Sequence, residues 1–158
     1  MDREIIIVTI VLMTICILPF YLMSRKNIRK KKHALEKLQG FAAKNACNIT
    51  HKDLWSGSAI AIDPSNKLLL YSTNGADSDA YRIFGLVGLR DCAVIKSENA
   101  GGAIKKLGLL LSFSNSPDLD IEFYNENRQM ALNHELELAN KWKDIISTQI
   151  KLRLPAQK

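Results

Sequence analysis

The feature that most constrains this chain is a run of nineteen residues, Ile5 to Met23, that carries no charge. It holds six Ile, two Val, three Leu and one Phe. As a helix rising 1.5 Å per residue it reaches about 28 Å, close to the ~30 Å hydrocarbon core of a bilayer. On insertion scales its strongly apolar residues favour the membrane by roughly 4–7 kcal/mol. Thr9 and Thr14 can return their hydroxyls to backbone carbonyls, and Pro19 sits near the end, where a kink costs little. A cleaved signal peptide fits less well. The flank Asp2-Arg3-Glu4 is not basic, the run is too long, and Tyr21 to Lys26 offers no small-residue cleavage site. The expectation is a short tail over 1–4 and a transmembrane helix over 5–23.

Charge then sets an orientation. Residues 1–32 hold seven Lys/Arg against Asp2 and Glu4, whereas the other 126 hold 15 Lys/Arg and 14 Asp/Glu. The basic excess is therefore Arg25, Lys26, Arg29, Lys30, Lys31 and Lys32. Positive charge stays cytoplasmic, which predicts a single-pass cell-membrane protein, N-out and C-in, with its domain in the cytoplasm. Those six cations are the expected contact with anionic lipid headgroups. The rest of the chain is close to neutral, which argues against a nucleic-acid partner, since binding phosphates requires a basic face. Cys16, Cys47 and Cys92 form neither a CxxC nor a ligand spacing with the histidines, and an odd, scattered count fits a reducing compartment.

Residues 24–46 read as a basic helical stalk, with Ile28, Leu35, Leu38 and Ala42 on one stripe. After it the period changes to two. Strands are expected over 49–55, 59–63, 67–73, 80–87, 90–97, 104–114 and about 119–123. The turns between them include Ser56-Gly57 and Asp63-Pro64-Ser65-Asn66. Leu107, Leu109, Leu111 and Phe113 point one way, as do Leu119, Ile121 and Phe123. A last helix over about 129–152 carries the stripe Leu132, Leu136, Ala139, Trp142, Ile146 and Ile150, and 153–158 is a tail.

Several residue runs carry a likeness to known proteins. They are Ser58-Ala59-Ile60-Ala61-Ile62-Asp63, Lys67-Leu68-Leu69-Leu70-Tyr71, Phe123-Tyr124-Asn125 and Glu137-Leu138-Ala139-Asn140-Lys141-Trp142. With the element order they resemble a pleckstrin-homology-like domain over 47–152, in a small single-pass bacterial membrane protein. The resemblance implies a mainly β fold with α: an N-terminal transmembrane helix and stalk, then a seven-stranded bent sheet or partly open barrel capped by the C-terminal helix. It also implies that Trp142 packs into the barrel. The first inter-strand loop departs from the lipid-binding pattern, since Trp55-Ser56-Gly57-Ser58 holds no cation. The likeness therefore implies no inositide reading and no activity.

The remaining constellations are weak. Asn74, Asp77 and Asp79 lack the order and the closing Glu of a calcium loop. Asp118, Asp120 and Glu122 share an outward strand face. His33, His51 and His134 stand in no nucleophile motif, and the glycines at 101 and 102 precede a strand rather than a phosphate-binding helix. No catalytic, cofactor-binding or metal-binding residue is expected. Trp55, at a strand end, is either a core residue or a docking residue for a partner. The function expected is a non-catalytic, membrane-anchored interaction or scaffolding module that holds another protein, and no enzyme. The alternatives are a structural subunit of a larger membrane complex, or an extracytoplasmic ligand-binding or secretion component of reversed topology.

Overall fold

The computed structural model describes the backbone of residues 3–73, 80–129 and 131–151, and the side chains of these except residues 3–6, 20–28 and 30. The first element is one helix, α1, Arg3–Lys44, in place of an anchor and a separate stalk. It ends where Ala46 adopts a left-handed φ of 53°. The Cys47 amide then donates to the Ala42 carbonyl at 2.9 Å and the Ala46 amide to Ala43 at 3.2 Å, which satisfies the last carbonyls. The expected transmembrane helix over 5–23 is overturned, and with it the single-pass cell-membrane location and N-out/C-in topology. Among the described residues no helix is long and apolar enough to cross a membrane.

The strands are β1 His51–Trp55, β2 Ser58–Asp63, β3 Leu68–Ser72, β4 Tyr81–Gly85, β5 Leu89–Glu98, β6 Ile104–Phe113 and β7 Leu119–Asn125. They do not form one bent sheet or a partly open barrel. They form two antiparallel sheets, sheet A in the order β1-β2-β3-β4 and sheet B in the order β5-β6-β7. What joins sheet A to β7 is side chain rather than ladder. The Trp55 indole N–H donates to the Phe123 carbonyl at 3.0 Å, and the Tyr71 hydroxyl to the Glu122 carbonyl at 3.3 Å. Aromatic rings stand where strand pairing would have closed a barrel.

The hairpins follow their turn chemistry. Ser56 and Gly57 have φ of 40° and 82°, the two positive values that a two-residue turn needs to match strand twist. At the next turn the Asp63 carboxylate accepts from the Asn66 amide at 3.1 Å and the Asn66 side chain at 2.7 Å.

The two central strands of sheet A are buried on both faces, which explains the apolar runs of β2 and β3. Its inner face, with Ile60, Ile62 and Leu69, joins Leu107, Leu109, Leu111, Ile121 and Phe123 of sheet B in the main core. The second helix, α2 Glu135–Lys151, adds Ala139, Trp142 and Ile146 to that core. The outer face, with Ala59, Ala61, Leu70 and Tyr81, is covered by Leu38 and Ala42 of α1. Helix α2 starts later than its apolar stripe suggests. The Arg128 and Gln129 amides first turn back onto the Asn125 carbonyl, and the Glu135 carboxylate then accepts from the Asn133 amide at 2.7 Å.

Candidate functional site

Three elements converge beside the β1–β2 hairpin. Lys31 of α1, Leu54 to Ser56 of the hairpin, and the stretch from Asn133 to Lys141 at the start of α2 line a cleft of about 580 Å³. One carboxylate on each side holds it together. Asp53 Oδ2 accepts from Lys141 Nζ at 2.7 Å and from Trp142 Nε1 at 2.9 Å, tying α2 to the edge strand β1. Glu135, itself buried, accepts from the Ser56 hydroxyl at 3.1 Å through its other oxygen and so ties the turn to the helix start. A carboxylate in the first turn of a helix is also favoured by the backbone dipole. His134 and Glu137 lie 3.9 Å apart on the exposed rim. The walls are the partly buried Leu54 and Leu138 and the edge of Trp55. A smaller cleft of about 410 Å³ lies at the far end of α2, against Pro64, Leu86, Leu89 and Ile150, with Lys67 as its charged group.

Trp55 is 8% exposed, stacked on Phe123 at 4.4 Å with its ring N–H bonded. It is a core residue whose rim reaches the cleft. Arg29, Lys31 and Lys32 are exposed on α1, while the side chains of Arg25, Lys26 and Lys30 lie outside the described residues. Among the described side chains of the basic set, Lys31 is the one that lines the cleft. The loop of Asn74, Asp77 and Asp79 also lies outside the described residues. The strand carboxylates are partnered: Asp118 with Ser112, Asp120 with Lys106 at 2.6 Å, and Glu122 with Arg128 and Asn125. His33 and His51 are exposed. Among the described residues no group of three His, Cys, Asp or Glu gathers around a common point.

The shifted ionisations belong to packing. Burial, then the charges of Glu122 and Asp120, push Tyr71 up to about 12. Burial and Asp91 do the same to the Cys92 thiol, also to about 12. Cys47 is raised by burial and by Asp63. Burial alone would raise Asp63, yet the hydrogen bonds from Asn66, Asn48 and Ser65 outweigh it and hold the carboxyl below its ordinary value.

Sequence reading missed Asp53, Ser56, Glu135 and Lys141 as one group. Asp53 and Lys141 are 88 positions apart, and nothing local pairs them. The one legible signal was a carboxylate just where the α2 stripe begins. No family model, no curated protein and no solved structure matches the chain, so none identifies a pleckstrin-homology-like domain.

Proposed function

We propose that this protein is a non-catalytic interaction module, a β domain carried on an apolar helical arm that packs among other apolar protein helices. The observation that supports this reading is the arm. Between Ile7 and Leu18, nine large apolar side chains are 52–65% exposed. At about 100° per residue they surround the helix except for a strip holding Thr9 and Cys16. A helix that is apolar nearly all round is stable when buried nearly all round, and each such side chain gains about 1.5–3 kcal/mol on burial. One neighbouring helix covers one strip, so the arm calls for several. The β domain differs: Val87 is its one strongly exposed large apolar side chain among the described residues. The cleft beside the β1–β2 hairpin is the module's second surface, with apolar walls and an Asp53–Lys141 pair already made beside it.

A photo-reactive residue placed at Met13 or Ile17 in intact cells tests the reading. Discrete protein adducts are expected, and Ile10→Glu together with Ile17→Glu is expected to abolish them while the β domain stays folded. Adducts to lipid alone, or no adducts at all, would overturn it.

A further inference from the structure

The two faces of sheet A are held by very different means. The inner face belongs to the main core with sheet B and α2. Among the described residues the outer face meets the last turns of α1, where Leu38 and Ala42 lie on Ala59, Ala61 and Leu70, with Cys47 and Ile49 beside them. Strand alternation sends Ile60, Ile62 and Leu69 to one side and Ala59, Ala61 and Leu70 to the other, so the two clusters share no side chain. Two of the sheet-side partners of α1 are alanine methyls, which bury little apolar area. Phe41 adds a ring stacked on Tyr81 at 5.4 Å. The Tyr81 hydroxyl adds a polar latch, donating to the Ala34 carbonyl at 3.2 Å.

The base of this contact is fixed independently of the helix lying down. The Asn48 amide donates to Asp63 at 2.7 Å, and the left-handed Ala46 lies between that anchor and α1. Two turns before Leu38, Lys31 supplies the α1 wall of the cleft. The same helix continues backwards through Pro19 into the apolar arm.

We propose that the last turns of α1 are a strap that opens about residues 45–48, uncovering the outer face of sheet A and widening the cleft while the main core stays folded. Local opening of a small separate cluster requires less free energy than unfolding the core. Because Lys31 rides on the strap, strap and cleft wall move together. A partner that grips the arm pulls on the strap through the continuous helix. That last link rests on the interaction reading above; the opening itself does not.

Two native thiols read the opening. Cys47 packs against the α1 cluster at the base of the strap, and Cys92 is in the main core. In the full chain carrying Cys16→Ser, a thiol reagent under native conditions labels part-exposed Cys47 and buried Cys92 at their own rates, and the change in each rate reads the opening. Tyr81→Phe is expected to speed Cys47 about tenfold and to leave Cys92 unchanged. Hydrogen exchange over residues 33–44 should accelerate in that variant while β6 keeps its protection. Phe41→Ala should act more strongly, and the loss of one hydroxyl in Tyr81→Phe keeps the test readable if that larger change prevents folding. Rates at the two thiols that rise together in Tyr81→Phe would mean that strap and core open as one unit and would overturn the proposal. Unchanged Cys47 labelling in Tyr81→Phe would overturn the latch. If the strap behaves as expected but the arm gives no protein adducts, only the link to a partner is lost.

Discussion

Removing the Asp63 carboxylate tests how the α1–β1 junction and the β2–β3 turn are held. The residue is fully buried and accepts from the Asn48 amide, the Asn66 amide and the Asn66 side chain. In Asp63→Ala the Asn48 and Asn66 amides lose an ionised acceptor, each at about 1–3 kcal/mol, and water at the turn recovers part of it. The net loss expected is about 2–4 kcal/mol. With a urea slope near 1.5 kcal/mol per M for a domain of this size, the midpoint falls by about 2 M. Fluorescence reads the transition, since both tryptophans, Trp55 and Trp142, are buried. The pH dependence has a definite sign. The folded carboxyl ionises below its ordinary 3.8, so its contribution is complete above that value and is lost as pH falls through the lower folded value. The gap between wild type and Asp63→Ala should therefore be full at pH 7 and shrink below about pH 3.8. A gap under 0.5 kcal/mol at pH 7, or one unchanged at pH 2.5, would refute the reasoning.

Ala46→Gly should stabilise the chain by about 0.5–1 kcal/mol, because glycine takes the left-handed φ that Ala46 holds at 53° without strain; a higher urea midpoint checks it. Gly108→Ala should cost about 1–3 kcal/mol, since a Cβ there would lie 2.5 Å from Asp120 Oδ1. The carboxylate must swing away from Lys106, and the Lys106→Ala background should reduce the effect if that pair is what resists. Trp142→Phe should cost about 2–4 kcal/mol through lost core volume and the lost bond to Asp53. Asp53→Ala in that background should add less than it does alone, measured as a double-mutant cycle.

Strand and helix positions were legible because alternation and turn chemistry are local. Leu107, Leu109 and Leu111 all reach the core, and Ser56-Gly57 and Asp63 to Asn66 all make turns. Sheet closure was not legible. Whether β7 pairs with sheet A or meets its aromatic rings depends on Trp55 and Phe123, 68 positions apart. The double burial of sheet A was written in the sequence but read too simply. A strand such as Leu68-Leu69-Leu70-Tyr71, apolar without alternation, needs a cover on each side. The second cover was the helix taken for a basic stalk, through the Leu38 and Ala42 of its apolar stripe. The cleft was invisible for the reason that applies to closure, because its ties join residues 79 to 89 positions apart.

The pattern along α1 changes where its surroundings change. From Leu38 to Ala42 the helix buries a narrow face on small residues of sheet A, and its other positions there, Gln39 and Gly40, are exposed. From Ile7 to Leu18 there is no such asymmetry, because apolar side chains lie nearly all round and none is covered. One uninterrupted helix cannot satisfy both patterns in one environment, since the first needs water on its far side and the second needs water excluded. The transition lies between Leu18 and Ala34, the interval that holds Arg25 to Lys32. Of these, Arg29, Lys31 and Lys32 are exposed, as long cationic side chains generally are. On the interaction reading proposed above, the contacts of the arm are separated in sequence from those that hold the β domain. A strap at the end of that helix can respond to the arm without drawing on the stability of the main core.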